Sequence, residues 1–194
     1  MSHRSSDELR VLHAVRTLGY AAANRIANRL ALAEAEVSEY LLDAQAHGWV
    51  TWSSYAGDGG WSLTEAGKAH DERQLAEELD SVGARTTVNQ AHARFLTLND
   101  VVARACTAWQ LADESVSPDA TIAALQKAAD GLAPIEADLV EQLQRFHGYH
   151  DRFDAALTQA RSDPDWITGL DRDSAHGVWF ELHEDLIATL GLSR

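Results

Sequence analysis

The sequence predicts a mostly α-helical chain: an N-terminal domain of short helices around a two-stranded ribbon, followed by a C-terminal α-helical domain. Three observations predict it. Apolar residues recur at three- and four-residue spacing through most of the 194 residues, this helical period gives way to β-rich sequence once, between Trp49 and Thr64, and a hydrophobic content of 45% supplies a core. The mixed helix-and-ribbon pattern ends near 80 and everything after it reads helical, which places the domains at 1–80 and 81–194.

Leu9, Leu12 and Val15 carry the first apolar face, with Ser6-Asp7-Glu8 as N-cap and acidic first turn and Gly19 as stop. A short helix follows over 22–29, a tight link at 30–32, and a third helix from about Ala33 to His47, closed by Gly48. Trp49 to Tyr55 reads as a strand, 57–60 as a glycine turn, and 61–64 as a short return strand. Thr64-Glu65-Ala66-Gly67 opens a helix that runs through Leu75 and Leu79. Three helices, a ribbon and a helix in this order make a winged helix-turn-helix with a two-stranded wing.

Everything from 81 onward reads helical. Val88, Ala91, Phe95, Leu98 and Val102 mark one helix, and Ser117-Pro118-Asp119 starts another that Gly131 and Pro134 should stop. A longer helix is expected from Ile135 through Leu157, and a last one from about Asp173 to Leu190. The stripes Val88, Phe95, Leu98 and Leu182, Leu186, Leu190 suit a partner helix in a homodimer, or the interior of a monomeric bundle.

The residues of the first domain carry a resemblance. Arg25-Ile26-Ala27-Asn28-Arg29-Leu30-Ala31-Leu32 resembles the second helix and turn of MarR- and PadR-like regulators. The pattern of Val37-Ser38, Leu41, Ala44 and Gly48-Trp49-Val50 is similar to their recognition helix, and 60–68 resembles their wing and following helix. The resemblance covers about residues 7–80. It implies a bacterial transcription regulator that binds double-stranded DNA palindromes as a homodimer; the second domain would dimerise, sense a small-molecule effector, or both.

Charge bears on that expectation. Sixteen Lys and Arg stand against thirty Asp and Glu, a net −14, of which −2 falls in 1–70 and −12 in the rest. Any grip on nucleic acid therefore belongs to the first seventy residues, with Arg25, Arg29 and Lys68 as phosphate contacts and Ser38 and Glu39 facing bases. The outward side of the third helix carries Glu36, Glu39, Leu42 and Asp43, and 49–64 contains no Lys or Arg. A winged helix kept as a protein-interaction adaptor is the alternative. The crowded Trp49, Trp52, Tyr55 and Trp61 are expected to cap the core, an exposed Trp52 or Tyr55 pointing instead to a protein interface.

In the second domain His150, His176, Trp179 and His183 are candidates for an effector pocket, the alternative being a dry, hydrogen-bonded core. His147 with Asp151 and His150 with Asp154 have helical metal-ligand spacing, but ordinary polar pairs are the expected reading, so no metal is assigned. The acidic pairs Glu77-Glu78 and Asp113-Glu114 read as solvated faces. No phosphate loop, nucleophile elbow or Cys–His dyad is present, so no enzyme activity and no cofactor are expected. A lone cysteine, no membrane-length apolar run and no signal-like start fit a cytoplasmic protein with no membrane partner.

Overall fold

The computed structural model describes residues 2–55, 58–111 and 117–192, and among them the chain is mostly helical with one small antiparallel ribbon. The described residues fall into two compact units, 4–83 with 184–192 and 2–3 with 84–183.

In the first unit α1 (Asp7–Leu18) begins at Ser6, whose hydroxyl accepts the Leu9 N–H at 3.3 Å, and ends at Gly19, where φ is +72°. A left-handed cap at Ala31 separates α2 (Ala23–Leu30) from α3 (Glu34–Ala46). Ile26 of α2 and Val37 and Leu41 of α3 are fully buried against Val15 of α1. That interlock gives the three helices one core; at about 1.5–3 kcal/mol per buried aliphatic side chain, these four supply a large share of its driving force.

Strands β1 (Val50–Tyr55) and β2 (Asp58–Leu63) pair in register Val50 to Leu63 and Tyr55 to Asp58. A further bridge joins Ala21, between α1 and α2, to Trp61. The return strand starts earlier than expected, because Gly59 and Gly60 are ladder residues rather than turn residues. Their missing side chains make room for rings: a Cβ would lie 2.1 Å from Trp52 at Gly59 and 2.7 Å from Tyr20 at Gly60. Gly57 of the expected turn lies outside the described residues.

Thr64 caps α4 (Glu65–Ser81), its hydroxyl accepting the Gly67 N–H at 3.0 Å and donating to the Gly48 carbonyl at 2.6 Å. Gly67 packs directly on the chain where α3 passes into β1, and a Cβ there would lie 1.9 Å from the Trp49 carbonyl oxygen. Backbone cannot rotate aside as a side chain can. A Gly67→Ala variant is therefore expected to lose about 1–3 kcal/mol, checked by urea melts; wild-type stability would show that the helix start shifts freely.

The second unit holds α5 (Arg85–Gln110), α6 (Pro118–Gln142), α7 (Tyr149–Ala160) and the first half of α8 (Ala175–Leu190). Two sequence expectations are corrected here. Gly131 and Pro134 do not stop α6, which runs on to Gln142. Gly131 is where α5 approaches, since a Cβ would meet Leu98 at 2.9 Å, and Pro134 sits exposed on the helix. The long helix expected from Ile135 to Leu157 is instead broken at Leu143, by a single 3-10 turn (Gln144–Phe146) and Gly148 at φ +96°. The Glu136 carboxylate accepts the N–H groups of Gly148 and His150, supplying the N-terminal cap that α7 lacks from its own sequence. Glu78, expected in solvent, is buried; Asp113-Glu114 lies outside the described residues.

Of the two stripes read as suited to a partner helix or to a monomeric bundle, Val88, Phe95, Leu182, Leu186 and Leu190 are buried within the single chain and Leu98 is half-buried. No helix among the described residues is long and apolar enough to cross a membrane.

Candidate functional site

The α2–α3 region carries the residues assigned to nucleic acid. Arg25 and Arg29 stand one turn apart on α2, the first exposed and the second half-buried. On α3 the helical period sends Val37, Leu41 and Ala44 inward and leaves Glu34, Glu36, Glu39, Leu42 and Asp43 in solvent, Ser38 being half-buried. The solvent face of α3 thus presents four carboxylates, and 34–46 contains no Lys or Arg. Lys68, exposed on α4, borders an open cleft of about 610 Å³ with Arg16, Glu65, Glu72 and Glu184.

The aromatic cluster divides. Trp61 is buried, and Trp49 is half-buried in a stack between His47 at 4.5 Å and His70 at 3.7 Å. Trp52, expected to cap the core, is instead 45% exposed although its edge meets Trp61 at 5.3 Å. Tyr20 is similarly exposed and donates its hydroxyl to the Ser53 carbonyl at 2.8 Å. Two rings thus lie partly in solvent, Trp52 of β1 over Gly59 and Tyr20, from the link between α1 and α2, over Gly60.

Sequence reasoning missed a charged network in this unit. His13 and Arg16 lie on the buried side of α1. His13 Nδ1 is 3.2 Å from Asp71 of α4 and its Nε2 3.1 Å from Asp185 of α8, an imidazole held between two buried carboxylates. Arg16 reaches Asp71, Glu72 and Glu184 at 3.4, 3.0 and 2.9 Å. Burial alone would lower the His13 pKa, but the charges and hydrogen bonds of Asp71 and Asp185 outweigh it and push the value up to about 9. The signal was present: a His and an Arg three residues apart on an otherwise apolar helix face demand buried partners.

In the second unit the four pocket candidates have different surroundings. Trp179 is buried, stacked on Phe95 at 4.7 Å and tilted against Phe153 at 5.2 Å, and its Nε1–H donates to Asn99 at 3.0 Å. His183 joins this group, 5.3 Å from Phe95 and 6.3 Å from His92. Desolvation lowers the pKa of His92 and of His176, which sits half-buried in the first turn of α8. His150 lies on α7 with its ring toward Asp151 at 3.4 Å, rather than toward Asp154, which accepts from Gln126. His147 falls outside α7, so its helical pairing with Asp151 is lost. Among the described residues no group of three or more His, Cys, Asp or Glu is placed to hold a metal ion.

The geometry offers an exposed helix, an aromatic ribbon and a buried imidazole in one unit, and an aromatic stack in the other. No family model, curated protein or solved structure matches the chain.

Proposed function

We propose that the chain is a DNA-binding transcriptional regulator of the cytoplasm, acting as a homodimer through a winged helix-turn-helix built from α1 to α4 and the ribbon. The observation that carries this reading is the order of elements around α3: two helices, a left-handed turn, an exposed helix, and an antiparallel ribbon bridged back to Ala21. In modules of this order the helix in the place of α3 enters the major groove and the ribbon follows the backbone. Arg25, Arg29 and Lys68 would then contact phosphates, while Ser38 reaches a base and Glu39 accepts from cytosine N4. With its α5 and α8 stripes consumed inside the chain, a dimer would need other apolar surface, such as the exposed Leu96 and Phe180.

A second reading, a protein-interaction adaptor, is favoured by one set of observations. The outward face of α3 is acidic, Leu42 is 57% exposed on it, and Trp52 of the ribbon and Tyr20 beside it are exposed. Carboxylates beside phosphates are repelled, whereas exposed rings are anchors for protein partners.

The two are separated by fluorescence anisotropy with the DNA upstream of the coding region, across a salt series. The expected slope of log affinity against log salt is on the order of −3 to −5 per dimer. Arg29→Ala should weaken all sequences about equally and lower that slope by about 1 per subunit, and Glu39→Ala should change preference more than affinity. Absence of binding to any fragment at low salt sinks the first reading and leaves the second.

A further inference from the structure

The outer face of α3 lies in solvent along the length of the helix. At about 100° per residue, Ala35, Glu39, Leu42 and Ala46 share an arc of about 60°, opposite the buried Val37, Leu41 and Ala44. All four are exposed, Leu42 to 57%. Their spacing of four, three and four residues is that of a coiled-coil seam. Glu36 and Asp43 flank it on one side, Ser38 and Gln45 on the other.

Charge decides what can cover this face. Glu34, Glu36, Glu39 and Asp43 have no hydrogen-bond or ion-pair partner among the described residues. Elsewhere in the same unit carboxylates are matched, Asp7 by Arg4 and Arg10, and Asp71, Glu72 and Glu184 by Arg16. On α3 the charges work against one another. Glu36 with Glu39, and Glu39 with Asp43, are like charges three and four residues apart, an arrangement that destabilises a helix. Asp43 adds a negative charge near the C-terminal end, where the helix dipole favours cations and the last turn holds no base. A cationic partner relieves all of these. A second copy of the chain does not, because a two-fold pairing of α3 sets carboxylate against carboxylate, and DNA phosphates meet the same repulsion.

We infer that the outer face of α3 docks a basic amphipathic helix of a partner protein. The partner's apolar stripe packs on Ala35, Leu42 and Ala46, and its Lys or Arg side chains face Glu36, Glu39 and Asp43. The inference rests on the second reading above, the protein-interaction adaptor, and names the chemistry of its partner. A seam shorter than two heptads with one large apolar side chain makes the contact weak and sensitive to salt.

The test is fluorescence anisotropy of the full chain with a labelled synthetic helix of about 18 residues, Leu along one face and Lys beside it. One control peptide has the same composition in scrambled order, and another has Glu in place of Lys. The expected result is saturable binding of the ordered peptide at about 10–500 μM, the scrambled peptide at least about fivefold weaker, and no binding of the acidic one. Glu39→Lys should weaken the ordered peptide at least about tenfold. Glu77→Lys, the same change of net charge at an exposed position of α4, should weaken it less than about twofold. Leu42→Ser, which leaves the core untouched, should weaken it at least about threefold and keeps the test open if Glu39→Lys does not fold. Equal binding of ordered and scrambled peptides, equal loss in Glu39→Lys and Glu77→Lys, or unchanged affinity in Leu42→Ser overturns the inference. Loss of binding in Trp52→Ala alone overturns it while leaving the adaptor reading in place, whereas displacement of the peptide by duplex DNA removes both.

Discussion

An Asp71→Ala variant is expected to lose about 3–5 kcal/mol of stability, because removing one partner of a buried ion pair strands the other charge. Asp71 is fully buried and faces both His13 and Arg16, so a single truncation leaves two cations short of a counter-charge in the core of the first unit. Thermal and urea unfolding at neutral pH check it. A loss below about 1 kcal/mol, the size of a surface ion pair, would show that water reaches the network.

The same network sets a pH dependence with a definite sign. The folded His13 holds its proton to about pH 9, while an unfolded chain releases it near the ordinary 6.5. Its contribution is therefore complete below about pH 6.5, falls across the interval, and is gone once pH rises through about 9. Over that window the wild type should lose on the order of 3 kcal/mol, and Asp185→Asn should flatten the fall. Urea midpoints at the two ends of the window measure it; equal midpoints would mean that His13 is neutral throughout.

The second large effect belongs to the other unit. Phe95 is fully buried and lies between Trp179 at 4.7 Å and His183 at 5.3 Å. Phe95→Ala is expected to cost about 3–5 kcal/mol, the transfer of the ring plus the void it leaves. The void would be lined by Trp179, whose indole stays tied to Asn99, so intrinsic fluorescence should report it. A change below about 1 kcal/mol would mean that the aromatics already border open space, returning these residues to the role of a ligand pocket.

Much of the first unit was legible residue by residue. Ser6, Gly19, Gly48 and Thr64 punctuate the helices where their chemistry dictates, and the period of Val37, Leu41 and Ala44 separates the inner from the outer face of α3. Glycine and proline were the misleading signals. At Gly59, Gly60, Gly67 and Gly131 the absent Cβ serves close approach of a ring, a carbonyl or a leucine, not a turn. Local sequence does not distinguish those uses, because what fills the space comes from elsewhere in the chain.

The sequence by itself determined the helical content, the single ribbon, the acidity of the outward face of α3 and the lack of cations in 49–64, since these follow from local periodicity and residue identity. Only the tertiary structure decided that residues 184–192 belong with the first unit and bring Asp185 to His13, a pairing across 172 positions of chain. It alone left Trp52 half in solvent. The physical reason is the same in each case. Burial and an ion pair are properties of packed surfaces, fixed by which distant segments meet, whereas a helix period is fixed by neighbours three and four residues away.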